Sequence, residues 1–132
     1  IHIVDIGARM GGNMIGPCVI PYGTGIDYVA NMIRHAVGDK VDFTANGYST
    51  VATRLLAFGD GVVKQLPDFK KMEKDYGVEI YHHLEVGQTI RAYHTNLDGC
   101  GYIIAKADNI ETAIAKADQV LDLIQKEIFS MD

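Results

Sequence analysis

The chain lacks any uninterrupted apolar run near the ~20 residues that a membrane-spanning helix needs, and it shows no signal-peptide pattern. A membrane role is therefore not expected. Cysteine is scarce: Cys18 and Cys100 are the only two, at no zinc or redox spacing. Two free thiols fit a reducing cytoplasm better than a disulfide scaffold. Net positive charge is missing as well. The formal charge is −5, which argues against a broad nucleic-acid footprint and against an anionic membrane surface. The chain has no internal repeat, no low-complexity segment, and no nucleophile elbow, P-loop or dinucleotide fingerprint. What remains is 132 residues with 48% apolar content, enough for the core of one ordinary folded domain.

Glycine is plentiful, and it is unevenly spread. Ten of the fourteen glycines lie within the first 61 residues. Backbone amides that approach anions need such residues, so the first half is where chemistry is expected. The chain opens with Ile1-His2-Ile3-Val4-Asp5-Ile6-Gly7-Ala8-Arg9-Met10-Gly11-Gly12-Asn13. Residues 1–6 read as a buried strand. If the strand continues to Arg9, then Asp5, Gly7 and Arg9 share one face. A carboxylate and a guanidinium so placed can hold a metal-bound polyphosphate between them. Gly11 and Gly12 then let the backbone come close to a ligand.

Asp5-Ile6-Gly7-Ala8-Arg9-Met10-Gly11-Gly12 resembles the late motif of the ATP-grasp ligases, a strand that ends in Glu-x-Asn-x-Arg or Glu-x-Gly-x-Arg and often runs on into Gly-Gly. The resemblance continues in order along the chain. Tyr22-Gly23-Thr24-Gly25-Ile26-Asp27 is similar to the start of the helix that follows in that family. Gly101-Tyr102-Ile103-Ile104-Ala105 and Asn109-Ile110-Glu111-Thr112-Ala113 are similar to its closing strand and helix. The resemblance implies an ADP-forming ligase that activates a small carboxylate as an acyl phosphate and transfers it to an amine. ATP and magnesium are the cofactors it implies for the full-length protein. Asp5 would be a metal ligand, Arg9 would steady the phosphoryl charge, and Gly11, Gly12 and Asn13 would line the phosphate or substrate site.

Two departures from the family pattern bear on the site. Asp5 is a shorter-armed replacement for the usual glutamate. Gly7 stands where many members carry an asparagine ligand, so a water, Asn13 or a carbonyl would have to supply that oxygen. The abrupt start inside a strand, read with the resemblance, suggests the C-terminal fragment of a longer enzyme that is inactive alone. The competing reading is a non-catalytic ligand-binding or dimerisation module. Each candidate also has a plainer role: Asp5 could cap a turn, Arg9 could pair with a surface acid, and the glycines could serve positive backbone φ. Homo-oligomer formation stays open, because an unpaired strand edge can drive pairing by itself.

The rest of the chain predicts an α+β fold: the end of an ATP-grasp lobe, residues 1–66, and a small antiparallel sheet covered by a C-terminal helix, residues 67–132. The two parts could share one core. Residues 7–25 carry six glycines plus Pro17 and Pro21, which argues against a long helix there and leaves room for a short turn around 14–20. Ile26, Val29, Ala30, Ile33, Ala36 and Val37 predict a helix over 26–37, with Asp27 in its first turn and Gly38 past its end. A strand is expected over 49–58. Gly59-Asp60-Gly61 then suggests a hairpin into 62–66. Pro67 starts a charged helix over 68–76, ended by Gly77. Strands follow over 78–84, 89–95 and 102–107. Asp108 with Glu111 forms a capping box for a last helix striped with Ile110, Ala113, Ile114, Ala117, Leu121, Ile124 and Ile128. His82, His83 and His94 raise the question of zinc. Adjacent strand histidines face opposite ways, and a pair without a third ligand is not a zinc site, so a structural role is expected.

Overall fold

The computed structural model describes residues 9–130. Asp5 and Gly7, with the expected opening strand, lie outside the described residues. Backbone packing divides the chain into two compact units, Ile1–Tyr48 and Ser49–Asp132.

In the first unit, helical structure begins earlier than its glycine and proline content suggests. A π-helical turn, Ile15–Val19, leads directly into helix α1, Ile20–Thr24. Pro21 sits at the start of α1, where a missing N–H costs nothing. Gly25, at φ +74°, ends α1 by donating its N–H to the Pro21 carbonyl at 2.8 Å. Helix α2, Tyr28–Ala36, follows. Asp27 is its N-cap, and its carboxylate accepts the Ala30 N–H at 3.0 Å. Gly38 takes the left-handed conformation just past the end, at φ +82°. The expected apolar face of α2 is half-buried at Val29 and Ala30. Ile33 and Val37 remain exposed, at 61% and 68%.

Asn31 is the buried centre of this unit, at 2% exposure. Its amide donates to the Asp27 carbonyl at 2.9 Å and to the Asp42 carbonyl at 2.6 Å. Its oxygen accepts the Asp42 N–H at 2.9 Å. One side chain thereby pins the 39–48 segment to the helix, as an interior amide must find partners to be tolerated.

The second unit is an antiparallel sheet with helices over it. Strands β1 (Thr50–Leu55), β3 (Val78–His82) and β5 (Gly101–Ala107) pair in the order β1-β5-β3. Two short strands, β2 (Gly61–Val62) and β4 (Thr89–Ile90), form a separate pair. Helix α3, Phe69–Tyr76, precedes β3, and helix α4, Ile110–Phe129, closes the fold. In register, Ala52 faces Ala105 on one side of β5, and Val78 faces it on the other. Ile103 and Ala105 share that sheet face, and both are fully buried in the core with Ala117, Val120, Ile124 and Ile128 of α4. Arg54 lies on the same face and forms a forked ion pair with Asp118 of α4, its second arm at 3.2 Å.

Local signals place α3 as expected: Pro67 precedes it, Asp68 accepts the Lys71 N–H at 3.0 Å, and Gly77 ends it at φ +62°. The expected hairpin between the strand at 49–58 and residues 62–66 does not form. Leu56 and Phe58 are drawn into the core, and Leu56 exchanges backbone hydrogen bonds with Cys100 and Gly101 at 2.7 and 2.8 Å. Asp60 accepts the Ala92 N–H at 2.9 Å, so Gly59-Asp60-Gly61 turns a corner towards β4. The strand expected over 89–95 is shortened to Thr89–Ile90. A 3₁₀ turn, Asn96–Asp98, follows, closed by a capping box of Thr95 and Asp98. The expected box of Asp108 and Glu111 is replaced by Asn109, which caps α4 by accepting the Thr112 N–H at 2.8 Å. Among the described residues no helix is long and apolar enough to cross a membrane.

Candidate functional site

Arg9, Gly11, Gly12 and Asn13 form one continuous loop that runs into the π-helical turn. Arg9 is exposed. Its Nη1 lies 3.4 Å from the adjacent Met10 carbonyl, a weak contact that leaves most of the guanidinium fork for another acceptor.

The two glycines differ. A Cβ on Gly11 would sit 3.1 Å from the Ile15 Cδ1, so this position is tight. A Cβ on Gly12 would meet nothing within 4 Å. Gly12 thus presents bare main chain to whatever approaches. Positive φ, which was expected of the glycines, falls instead on the next two residues. Asn13 is at φ 54° and Met14 at φ 62°. A left-handed backbone costs roughly 1–2 kcal/mol for a residue with an ordinary side chain, less for asparagine. The conformation is held because the Met14 carbonyl accepts the N–H groups of both Cys18 and Val19 at 3.0 Å, which starts the helical turn. Strained backbone of this kind is frequent where a loop is shaped for a ligand. The Met10 side chain packs into the space that a Cβ on Gly16 would take, so a larger residue there would have to displace that flexible, part-exposed thioether.

The histidines do not converge. His82 stacks on Phe69, ring centroids 3.9 Å apart, and its Nδ1 accepts the Leu84 N–H at 3.2 Å. Burial, reinforced by the neighbouring His83, holds its pKa below the usual histidine range. Val78, Ile80 and Leu84 are buried, whereas His82 keeps an exposed edge. Among the described residues no group of three or more His, Cys, Asp or Glu side chains could hold a metal ion. Cys100 is buried and its thiol pKa is pushed up by that burial, the opposite of a nucleophile. Asn31 was not singled out in the sequence. It lies on the face of α2 opposite the stripe of Ile26, Val29, Ala30, Ile33 and Val37, so that stripe gave no sign of it.

Three comparisons with known proteins bear on this arrangement. A model of the L-amino acid ligase C-terminal domain 2 family matches residues 54–128. The fold is similar to a crystal structure of phosphoribosylglycinamide synthetase from Anaerococcus prevotii, with a TM-score of 0.61 and 17% sequence identity over 86% of this chain. The chain spans 29% of that protein's length. No curated protein matches the sequence. The structural likeness bears out the ATP-grasp fold expected from the sequence, an α+β piece with a small antiparallel sheet and a C-terminal helix. The family match covers more than half of the chain, and the chain belongs to the L-amino acid ligase C-terminal domain 2 family.

Proposed function

We propose that this chain is part of an ATP-dependent ligase that joins a small carboxylate to an amine. The family match over residues 54–128 carries the reading. In the proposed reaction a carboxylate oxygen attacks the γ-phosphorus of ATP and ADP departs. The amine then attacks the acyl-phosphate carbonyl, expelling inorganic phosphate and losing a proton. Arg9 would neutralise charge on the phosphoryl oxygens, a role that suits an exposed guanidinium with one weak contact. The bare main chain at Gly12 would let an oxyanion approach, with Gly11 and Asn13 shaping the loop on either side.

Magnesium bound with the nucleotide would supply further charge neutralisation. A hard cation of this kind needs only one or two protein carboxylates beside phosphate and water oxygens, and Asp5 is the residue proposed to provide one. Alone, the chain is expected to release no ADP.

The test is Arg9→Ala in the protein that carries this chain with its complete nucleotide-binding lobe. ADP release dependent on an amino acid, and hydroxylamine trapping of the acyl phosphate, should fall together by about 100-fold or more. Trapping and ADP release within a few-fold of the parent would remove Arg9 from the phosphoryl site.

A further inference from the structure

We propose that the cavity of about 340 Å³ beside β4 in the second unit is a binding site for a small oxyanion, carboxylate or phosphate, anchored by Arg91. It is lined by His83 after β3, by Thr89 of β4 with Gln88 and Arg91 on either side of that strand, and by Leu97 and Cys100. Its size falls in the lower range of small-ligand pockets.

The free hydrogen-bond donors of the lining point to an anion. Arg91 is permanently protonated, and among the described residues its guanidinium has no hydrogen bond and no ion pair. One acid borders the cavity, Asp98, and it is already engaged. Its Oδ2 accepts the N–H groups of His94 and Thr95 at 3.1 and 2.8 Å and the Thr95 hydroxyl at 3.3 Å. Those bonds close the 3₁₀ turn and hold the carboxyl pKa below the usual carboxylate range, so Asp98 serves its own loop. The buried Cys100 thiol is kept neutral, and it adds no competing negative charge. Asp98 keeps its negative charge, so the two charged lining side chains balance formally, and Arg91 is the one whose hydrogen-bonding groups stay free for a ligand.

The remaining lining groups complete the site. The Thr89 hydroxyl and the His83 imidazole can donate hydrogen bonds beside a guanidinium that favours planar oxyanions. Leu97 is 95% exposed on the rim. An apolar side chain so placed favours a ligand with a hydrocarbon portion beyond its anionic head. The site lies in the second unit and does not depend on the reading of Arg9.

The test is amide and arginine-side-chain NMR on the full chain, titrated at constant ionic strength with inorganic phosphate, acetate or isovalerate, and with chloride as control. Saturable shifts at Thr89, Cys100 and the Arg91 Nε in the millimolar range are expected, with isovalerate tighter than acetate. Saturation by phosphate alone would assign a phosphoryl ligand, and saturation by the carboxylates an organic acid. Arg91→Ala should weaken binding about tenfold or more, because it deletes a charge-assisted contact. Arg54→Ala, which removes a guanidinium elsewhere, should not weaken it. Shifts that chloride reproduces, or an affinity unchanged in Arg91→Ala, would overturn the proposal. Arg91 has no partner in the fold, so its loss should leave the spectrum otherwise intact.

Discussion

Replacing Asn31 by alanine removes the side chain that hydrogen-bonds α2 to the segment behind it. Asn31 makes three hydrogen bonds of good length and a fourth, from Arg34, at a weak 3.4 Å. The Asp27 carbonyl keeps a partner in the substitution, because it also accepts the Asn31 backbone N–H at 3.1 Å. The net loss is the pair of bonds to the Asp42 peptide. At about 1 kcal/mol each, the first unit should lose about 2 kcal/mol. The exposure of Asp42 to water keeps the cost from rising further. Asn31→Asp should cost more at neutral pH, since a carboxylate would face the Asp27 and Asp42 carbonyls with no N–H to offer. That excess should shrink on acidification, when the carboxyl regains a donor. Hydrogen exchange by NMR reads the unit directly: the Asp42 amide and the α2 amides should open about thirtyfold more often in Asn31→Ala. An unchanged Asp42 exchange rate, or a loss under about 0.5 kcal/mol, would refute the bracket.

Two more outcomes test the second unit. Gly101 sits at φ +142°, and a Cβ there would collide with the Tyr81 carbonyl oxygen and lie 2.7 Å from the His82 Cα. Both are strand backbone that cannot step aside, so Gly101→Ala should lower the urea midpoint by the equivalent of about 3 kcal/mol. Gly59→Ala, with nothing within 4 Å of its Cβ, should leave the midpoint nearly unmoved; equal effects would refute the steric argument. His82 has a folded pKa below its unfolded value, so the unfolded chain binds the extra proton first. Stability should hold above about pH 6.5 and fall as the pH drops from there through the folded pKa. Protonation also ends the Nδ1 acceptance from Leu84. His82→Phe should flatten that slope in urea titrations across this window, and an unaltered slope would assign the pH dependence elsewhere.

The elements that could be read from the sequence are those whose cause is local. Pro67, Asp68 and Gly77 mark the ends of α3 by chemistry that acts within one turn of helix. Of the stripe expected on α4, Ala113, Ala117, Ile124 and Ile128 are buried, Ile114 and Leu121 are half-buried, and Ile110, at the helix start, stays exposed. Val120 of the same stripe was overlooked, though it is fully buried. The glycine-rich loop at 9–13 was also legible as a place of unusual backbone. Its left-handed residues were not, because they are set by where the Met14 carbonyl must point to begin the π-helical turn. The candidate oxyanion cavity was invisible for a related reason. His83, Arg91 and Cys100 are separated in the chain and meet only because β3, β4 and the 96–98 turn are folded against one another.

By itself, the sequence determined α2, α3 and α4, the strands at 50–55, 78–82 and 101–107, the caps of α3 and the resemblance to ATP-grasp ligases. Tertiary structure alone decided the strand partners. Gly59-Asp60-Gly61 looks locally like a hairpin turn, yet β1 pairs with β5, some fifty residues away. Turn chemistry acts over a few residues, whereas pairing is settled by which arrangement buries Leu56, Phe58, Ile103 and α4 in one core.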